Sequence, residues 1–332
     1  MAERKKLRTV VVGFGFMGQT HACNIMRSDS MELVAVVDPR PDALHGITGG
    51  NIKTDAVVLS GVRQYSSLEA CLAAEEVELA YVCVHTRAHF AVALLALQHG
   101  VHVFVEKPFV LEPEEGATLI AEAQRRKLHL GVAHVVRFMP AYVKLRTMFC
   151  SGLFGKLKFI SLTRFSGVPE WGEWKQRRAE FGSSGGGLFD LCLHDIDFLH
   201  YMLGIPDDID ADCLPGALSP HDYVCASWRY AGQDMYVKVE GGNTFPASFP
   251  FMASFMATFE KSTLVWNSNN GAELQVITDN GAELVLLADA NDGYRDEGMY
   301  FADCILNNSS PESCSAESSL ETVKLCYRHL QN

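Results

Sequence analysis

The sequence contains no apolar run approaching the ~20 residues that a helix needs to cross a bilayer, which excludes a helical membrane span. Basic residues are in deficit: 28 Lys and Arg against 40 Asp and Glu give a net charge of −12. Such a surface repels nucleic acid and anionic lipid, so neither is expected as a partner. No C-x-x-C pair occurs among the ten cysteines, and no H-E-x-x-H pattern is present. Cys23, Cys71, Cys83 and Cys192 fall within apolar patterns, so reduced, packed thiols are expected and no metal. The stretch Met1 to Arg8 is charged and leads directly into a strand-like run. Without an apolar export segment ahead of it, a cytoplasmic location is expected.

What is present is an ordinary globular composition, 48% apolar and 20% charged, over 332 residues. That length suits two domains, because single cores seldom grow beyond roughly 250 residues. The first part alternates β-rich runs (Arg8–Val12, Glu32–Asp38, Ala80–His85, His102–Glu106, His129–Ala133) with helical patterns at Ala88–His99 and Pro113–Lys127. This alternation predicts an α/β fold, a doubly wound parallel sheet over residues 1–133. Val57 to Tyr65 is ambiguous and has room for a short strand before a Ser67–Ala74 helix. Over 134–332 the texture shifts to helices at Pro140–Gly152 and Leu188–Leu203, a strand at Lys156–Phe165, and repeated strands from Ile209 to about Leu287. Asn270-Gly271 and Asn280-Gly281 each open an Asn-Gly-Ala-Glu-Leu segment, which signals adjacent hairpin strands. Asn307–Ser319 reads as a polar loop before a closing helix that is free to pack back on the first domain. The second domain is therefore expected to be α+β on a largely antiparallel open sheet.

Val10-Val11-Val12 runs into Gly13-Phe14-Gly15-Phe16-Met17-Gly18, a strand followed by G-x-G-x-x-G and then a helical pattern. The glycines allow a tight turn, close approach of backbone to a pyrophosphate and tight helix–strand packing, while the helix start supplies unpaired N–H groups. Asp38 closes the next strand, 20 residues beyond Gly18. A carboxylate there accepts from ribose hydroxyls and repels a 2′-phosphate, which favours NAD over NADP; Arg40, two residues on, softens that preference. The alternative is a plain glycine turn with a solvated Asp38. Glu106-Lys107-Pro108 sits at the C-terminal edge of a sheet strand, where ligands bind in open α/β sheets. Lys107 there either polarises a substrate oxygen or is a solvated loop lysine paired to Glu106.

Ser183-Ser184-Gly185-Gly186-Gly187 precedes a helix carrying Asp190 and His194, four residues apart and so on one face. A carboxylate beside a histidine fixes its tautomer and suits it to move a hydroxyl proton near neutral pH. The same spacing also fits a surface contact. The glycines give room for backbone or cofactor at the helix start.

Taken together, Gly13–Gly18, Asp38, Glu106-Lys107-Pro108, Arg137-Phe138, the triple glycine and Asp190-x-x-x-His194 resemble the glucose–fructose oxidoreductase / inositol dehydrogenase / rhizopine-catabolism (Gfo/Idh/MocA) family, over roughly residues 8–205. The resemblance implies that Lys107 contacts the reacting oxygen, His194 takes or gives its proton, Asp190 orients both, and Glu106 faces the nicotinamide ribose. It implies a cofactor site formed by Gly13, Phe14, Gly15, Phe16, Met17, Gly18, Asp38, Arg40, Val84, His85, His89, Glu106, Lys107 and Pro108. His85-Thr86 departs from the Thr-Pro often found in the family, which leaves the details of that loop open. For substrate, His134, Arg137, Trp171 and Trp174 are the candidates, with packing between domains (for the tryptophans) and a buried ion pair (for Arg137) as the alternatives.

The expected activity is reversible hydride transfer between a secondary alcohol and its ketone on a sugar, sugar derivative or cyclic polyol, with NAD as cofactor. Two rivals are an oxidation–elimination route that cleaves a glycosidic bond and a non-catalytic NAD-binding regulator. A sheet with one apolar face favours a homodimer or homotetramer.

Overall fold

A computed structural model describes residues 6–44, 59–169, 184–288 and 292–331. The chain divides into two compact units, 1–135 with 294–321 and 136–293 with 322–332. The segment 294–321 packs with the first unit, more of the chain than the closing helix that the sequence leaves free to do so.

The first unit holds a six-stranded parallel sheet in the order β3-β2-β1-β4-β5-β6. Its strands are β1 (Leu7–Val12), β2 (Met31–Val37), β3 (Arg63–Tyr65), β4 (Leu79–Val82), β5 (His102–Glu106) and β6 (Leu130–Ala133). The strand order reverses direction at β1/β4, the crevice where doubly wound folds take dinucleotides. Val10, Val11, Ala80, Val82, Val103 and Val105 are fully buried, because crossover helices cover both faces of a parallel sheet and the strands read as continuous apolar runs. The helices are α1 (Phe16–Met26), α2 (Leu68–Ala74), α3 (Thr86–Gln98) and α4 (Pro113–Arg126). In α4, Pro113 opens the helix, Glu114 and Glu115 occupy its first turn and Arg125 and Arg126 its last, before Lys127 in the left-handed region (φ 58°) ends it. Each choice complements the helix dipole or its unpaired termini. The strand expected over Ala80–His85 stops at Val82, leaving Cys83 to His85 as a loop at the C-terminal end of β4.

The second unit is built on an eight-stranded sheet in the order β14-β13-β12-β11-β7-β10-β9-β8. Its strands are β7 (Leu157–Gly167), β8 (Asp208–Leu214), β9 (Tyr223–Arg229), β10 (Tyr236–Phe245), β11 (Met252–Phe259), β12 (Thr263–Asn267), β13 (Glu273–Thr278) and β14 (Gly281–Leu286). Pairing is antiparallel throughout except between β7 and β10. One face is dry: Ile160, Leu162, Val237, Val239, Phe255, Ala257 and Leu264 are buried. Helix α5 (Pro140–Ser151) covers part of this face and is followed later by α6 (Leu193–Leu203). Tyr142 of α5 meets Phe198 of α6 at 4.9 Å between ring centres, Phe255 at 5.4 Å and Trp266 at 5.5 Å. Edge-on aromatic contacts of this kind add to area burial. The opposite face leaves Tyr236, Met256 and Ile277 exposed.

Two further helices, α7 (Asp292–Asn307) and α8 (Ala316–Arg328), close the chain. In the first unit Phe301 of α7 stacks on Phe104 of β5 at 4.9 Å. Helix α7 was not anticipated from the sequence. The hairpin β13–β14 pairs Thr278 with Gly281, so Asp279 and Asn280 form its turn, one residue before the Asn280-Gly281 expected there.

Candidate active site

In the first unit the glycine motif bridges β1 and α1. A Cβ on Gly13 (φ +88°) would lie 2.5 Å from the carbonyl oxygen of Cys83, and one on Gly18 would collide with the Gly13 carbonyl, whereas a Cβ on Gly15 would meet nothing within 4 Å. The outer two glycines thus let the backbone close on itself, and the middle one opens onto free space at the start of α1. That helix has neither a side-chain cap nor an acid in its first turn, so its N–H groups and positive dipole end suit an anion. These residues fit a dinucleotide pyrophosphate.

Asp38, at the end of β2, is buried, and its Oδ2 accepts the Phe14 backbone N–H at 2.9 Å. Arg40 donates to the same carboxylate from its backbone N (2.9 Å), Nε (3.0 Å) and Nη2 (3.1 Å). Burial pushes the Asp38 carboxyl up, but the Arg40 and Phe14 hydrogen bonds outweigh it and hold the group below the usual carboxylate range. An anion is therefore fixed beside the glycine turn, with the arginine clamped to it.

Glu106, at the end of β5, accepts the Lys107 N–H at 3.1 Å on Oε2, and its Oε1 lies 2.7 Å from His21 Nε2 of α1. Burial raises its carboxyl, while His21 and Lys107 pull it further down, so it stays ionised. The Lys107-Pro108 peptide is cis, and Lys107 itself is half-buried. Val84 and His85 are half-buried in the loop after β4, where His85 occupies the N-cap position of α3. His89, expected at the cofactor, is buried instead. Its Nδ1 lies 2.9 Å from the Pro108 carbonyl and its Nε2 3.1 Å from the Val84 carbonyl. It lies between the loops after β4 and β5 and donates its single ring N–H to one of these carbonyls, so it supports Val84 and Pro108 from behind. His134 is buried just past β6. Sequence reasoning missed Glu297 of α7, whose two carboxyl oxygens are buried without a hydrogen-bond partner. Burial and the nearby Glu106 push its carboxyl well above the usual range, so it is held neutral. No sequence pattern marks it.

In the second unit the helix expected over Leu188–Leu203 begins with a π turn, Leu188–Cys192, in which the Leu193 N–H reaches back to the Leu188 carbonyl, before α6 takes over. Such wide turns recur at functional sites. Asp190 lies in this turn and His194 in the first turn of α6, and both are half-buried. The next two acids are sunk. Asp195 takes Arg164 Nε and Nη2, each at 2.9 Å, and the Tyr142 hydroxyl at 3.3 Å. Asp197 takes Arg137 Nε at 2.7 Å and Nη2 at 2.6 Å, and the Thr322 hydroxyl at 2.8 Å. Arg137 also lies 4.6 Å over the Tyr201 ring. Its guanidinium is wholly buried, which corrects the expectation of a substrate contact: a charge spent on an interior partner is not offered to a ligand. The two arginines anchor α6 on either side of His194. Trp171, Trp174 and Ser183 lie outside the described residues. Among the described residues no helix is long and apolar enough to cross a membrane.

A Rossmann unit with an acid-tipped second strand, joined to an α+β unit on an open, mostly antiparallel sheet, defines a dinucleotide-binding class of two-part proteins. Residues 7–134 match the profile of the Gfo/Idh/MocA oxidoreductase family, NAD-binding Rossmann fold, and residues 142–282 that of the GFO/IDH/MocA C-terminal domain. The chain belongs to the Gfo/Idh/MocA family. It is similar to UDP-N-acetylglucosamine 3-dehydrogenase of Acidithiobacillus ferrooxidans, 32% identical over 208 residues, which are 62% of this chain and 57% of that protein. It is also similar to scyllo-inositol 2-dehydrogenase (NAD(+)) of Bacillus subtilis, 24% identical across 92% of this chain and 88% of that one. Several named relatives are matched over little more than half of their own length. The fold is shared with an oxidoreductase from Agrobacterium radiobacter solved with NAD+, L-tartaric acid and magnesium: TM-score 0.82, 16% identity, covering 99% of this chain and 97% of that one.

Proposed function

We propose that this protein catalyses reversible, NAD-dependent hydride transfer between a secondary alcohol and its ketone on a sugar, sugar derivative or cyclic polyol. The observation that carries the reading is the anion at Asp38. It is pinned to the Phe14 N–H and kept ionised by Arg40; with the half-exposed Arg40 side chain swung aside, its oxygens are acceptors for an adenosine ribose and a like charge to a 2′-phosphate. NAD is accordingly the preferred cofactor over NADP. When bound, NAD supplies the hydride acceptor.

The protein's own groups do the rest. His194 takes the substrate hydroxyl proton, Asp190 holds the imidazole in the tautomer that can receive it, and Lys107 neutralises the charge developing on oxygen. Glu106, kept ionised by His21, orders the Lys107 backbone through its N–H and faces the nicotinamide ribose. Trp171 and Trp174 are proposed to offer aromatic faces to the C–H surface of the substrate ring. The names of relatives that act on a nucleotide sugar and an inositol support the substrate class. Tyr236, Met256 and Ile277, exposed on the open face of the second sheet, support a homodimer or homotetramer that covers them. A cytoplasmic location is part of this reading, since ten cysteines without a C-x-x-C pair suit packed thiols better than a disulfide framework.

The test is NADH formation across a panel of inositols, hexoses and nucleotide sugars, with Lys107→Ala beside the parent. Turnover should fall by at least about 100-fold in the variant, the range expected for a lost charge-stabilising donor, while NAD affinity stays within about two-fold of the parent. Full turnover in Lys107→Ala would overturn the mechanism. Cleavage of a glycoside without net NADH would point to oxidation–elimination, and NAD binding with no turnover of any alcohol to a regulator.

A further inference from the structure

The π turn Leu188–Cys192 has a glycine, Gly187, at its N-cap position and so no capping side chain there. Its first N–H groups are taken up from the loop between β8 and β9 instead. The Asp222 Oδ1 accepts Gly187 N–H at 3.2 Å, and the His221 carbonyl accepts Leu188 N–H at 3.0 Å. Asp222 is fully buried. Its remaining hydrogen bonds come from its own loop: Leu218 N–H at 2.8 Å and Ser219 N–H at 2.9 Å reach Oδ2, and the Ser219 hydroxyl reaches Oδ1 at 2.5 Å. Its backbone carbonyl accepts Asn243 N–H of β10 at 3.0 Å.

The glycines around this point make room for that one residue. A Cβ on Gly187 would lie 2.7 Å from the Asp222 carbonyl oxygen and one on Gly242 2.6 Å from it, while side chains on Gly186 and Gly216 would strike Ser219 and the Asp222 carboxylate. Asp222 is therefore clasped between a self-closed loop, a sheet strand and the start of the helix. A carboxylate that is rigid by virtue of its own loop, with one acceptor site turned to a helix N-terminus, both satisfies an orphan donor and opposes the positive dipole end. The π turn that follows directly carries Asp190, and the next turn carries His194.

We propose that Asp222 is a positioning residue for the proton-transfer pair: it caps the helix from a remote loop and thereby sets where the Asp190 and His194 side chains stand. This deepens the redox reading above and rests on it, but its test does not depend on turnover. Asp222→Asn is isosteric, yet its amide must turn a donor either toward Gly187 N–H or toward the N–H groups of Leu218 and Ser219, so the clasp loosens on one side. The readout is the His194 ring signal in spectra of ring-labelled histidine, assigned by its loss in His194→Gln. In Asp222→Asn, with folding confirmed by circular dichroism, the His194 titration midpoint and line width should move. On substrate, kcat should fall about 100-fold, the cost of a displacement near 1 Å, with NAD affinity within two-fold of the parent. Ser219→Ala, which removes one donor from the same Oδ1, should move the His194 signal in the same sense by less, and serves if Asp222→Asn does not fold. A His194 titration that superimposes on the parent in either folded variant overturns the proposal. If instead the parent shows no NADH formation with any alcohol while His194 still responds, the redox reading falls and the positioning role stands.

Discussion

Arg137→Met isolates the ion pair that anchors α6. The Arg137 side chain is 0% and the Asp197 side chain 1% exposed, and the two share hydrogen bonds of 2.6 and 2.7 Å. Removing the guanidinium takes the countercharge and two hydrogen bonds from Asp197; the Thr322 hydroxyl, which donates to it at 2.8 Å, brings no charge, so a buried carboxylate is left uncompensated. Breaking such a pair from one side costs about 3–5 kcal/mol. At roughly 2–4 °C per kcal/mol for a unit of this size, the second unit's melting transition should drop by about 6–20 °C. Arg137→Met with Asp197→Leu removes both charges, and the deficit should largely vanish, because apolar replacement of a whole buried pair is close to neutral. Differential scanning calorimetry of the parent, both single variants and the double variant closes the cycle. A single variant that melts within 2 °C of the parent, or a double variant worse than either single one, would refute the reasoning. An elevated substrate KM in Arg137→Met with an unchanged melting temperature would return Arg137 to the substrate.

Two further outcomes follow from the geometry. Asp38→Ser removes the anion from the Phe14 N–H and releases Arg40, so NADH affinity should fall about 10- to 100-fold, the worth of a charge-assisted hydrogen bond, while NADPH affinity rises. Fluorescence titration with both nucleotides decides, and an unaltered NADH preference would count against Asp38 as the discriminator. His329 is buried, accepts Trp228 Nε1–H at 3.0 Å and lies 2.7 Å from the Leu325 carbonyl through Nδ1. Burial lowers its pKa to about 4. The unfolded chain takes this proton first, so the stability tied to His329 is complete above the ordinary value of 6.5 and drains as pH falls toward about 4, on the order of 3 kcal/mol in all. His329→Gln, whose amide oxygen can still accept from Trp228, should flatten the loss of urea resistance between pH 7 and 4.5; an equally steep loss would show that the acid sensitivity lies elsewhere.

Much of the first unit was legible because its strands are buried on both faces and the signal is blunt: Val10 to Val12 and Val103 to Val105 are apolar without interruption. Helix α7 escaped for a physical reason. The side of it that packs inward runs through Gly293, Glu297 and Gly298 before Phe301 and Ala302, so the apolar period that announces a helix is missing. What makes that face bury is its partners; a Cβ at Gly298, for instance, would lie 2.6 Å from the Tyr81 hydroxyl. The parallel pairing of β10 with β7 joins residues about 77 apart, such as Tyr236 with Phe159. No local pattern distinguishes that neighbour from an antiparallel one.

The chemical residues show the same division between local and remote information. Asp190, Asp195 and Asp197 stand within eight positions of one another, and by spacing Asp190 and Asp197 are both fair companions for His194. Their roles separate only through partners that arrive from far along the chain: Arg164 claims Asp195 and Arg137 claims Asp197, across 31 and 60 residues. Both acids are buried in these pairs, which leaves Asp190 as the half-buried member of the three. The triple glycine shows the converse. It reads as space for a ligand, but Gly186 and Gly187 are filled by the Ser219–Asp222 loop, whereas Gly15, the middle glycine of the first unit's motif, keeps its vacancy. A glycine run thus reports that something comes close; whether that is backbone or a cofactor depends on what the rest of the chain brings to the same place.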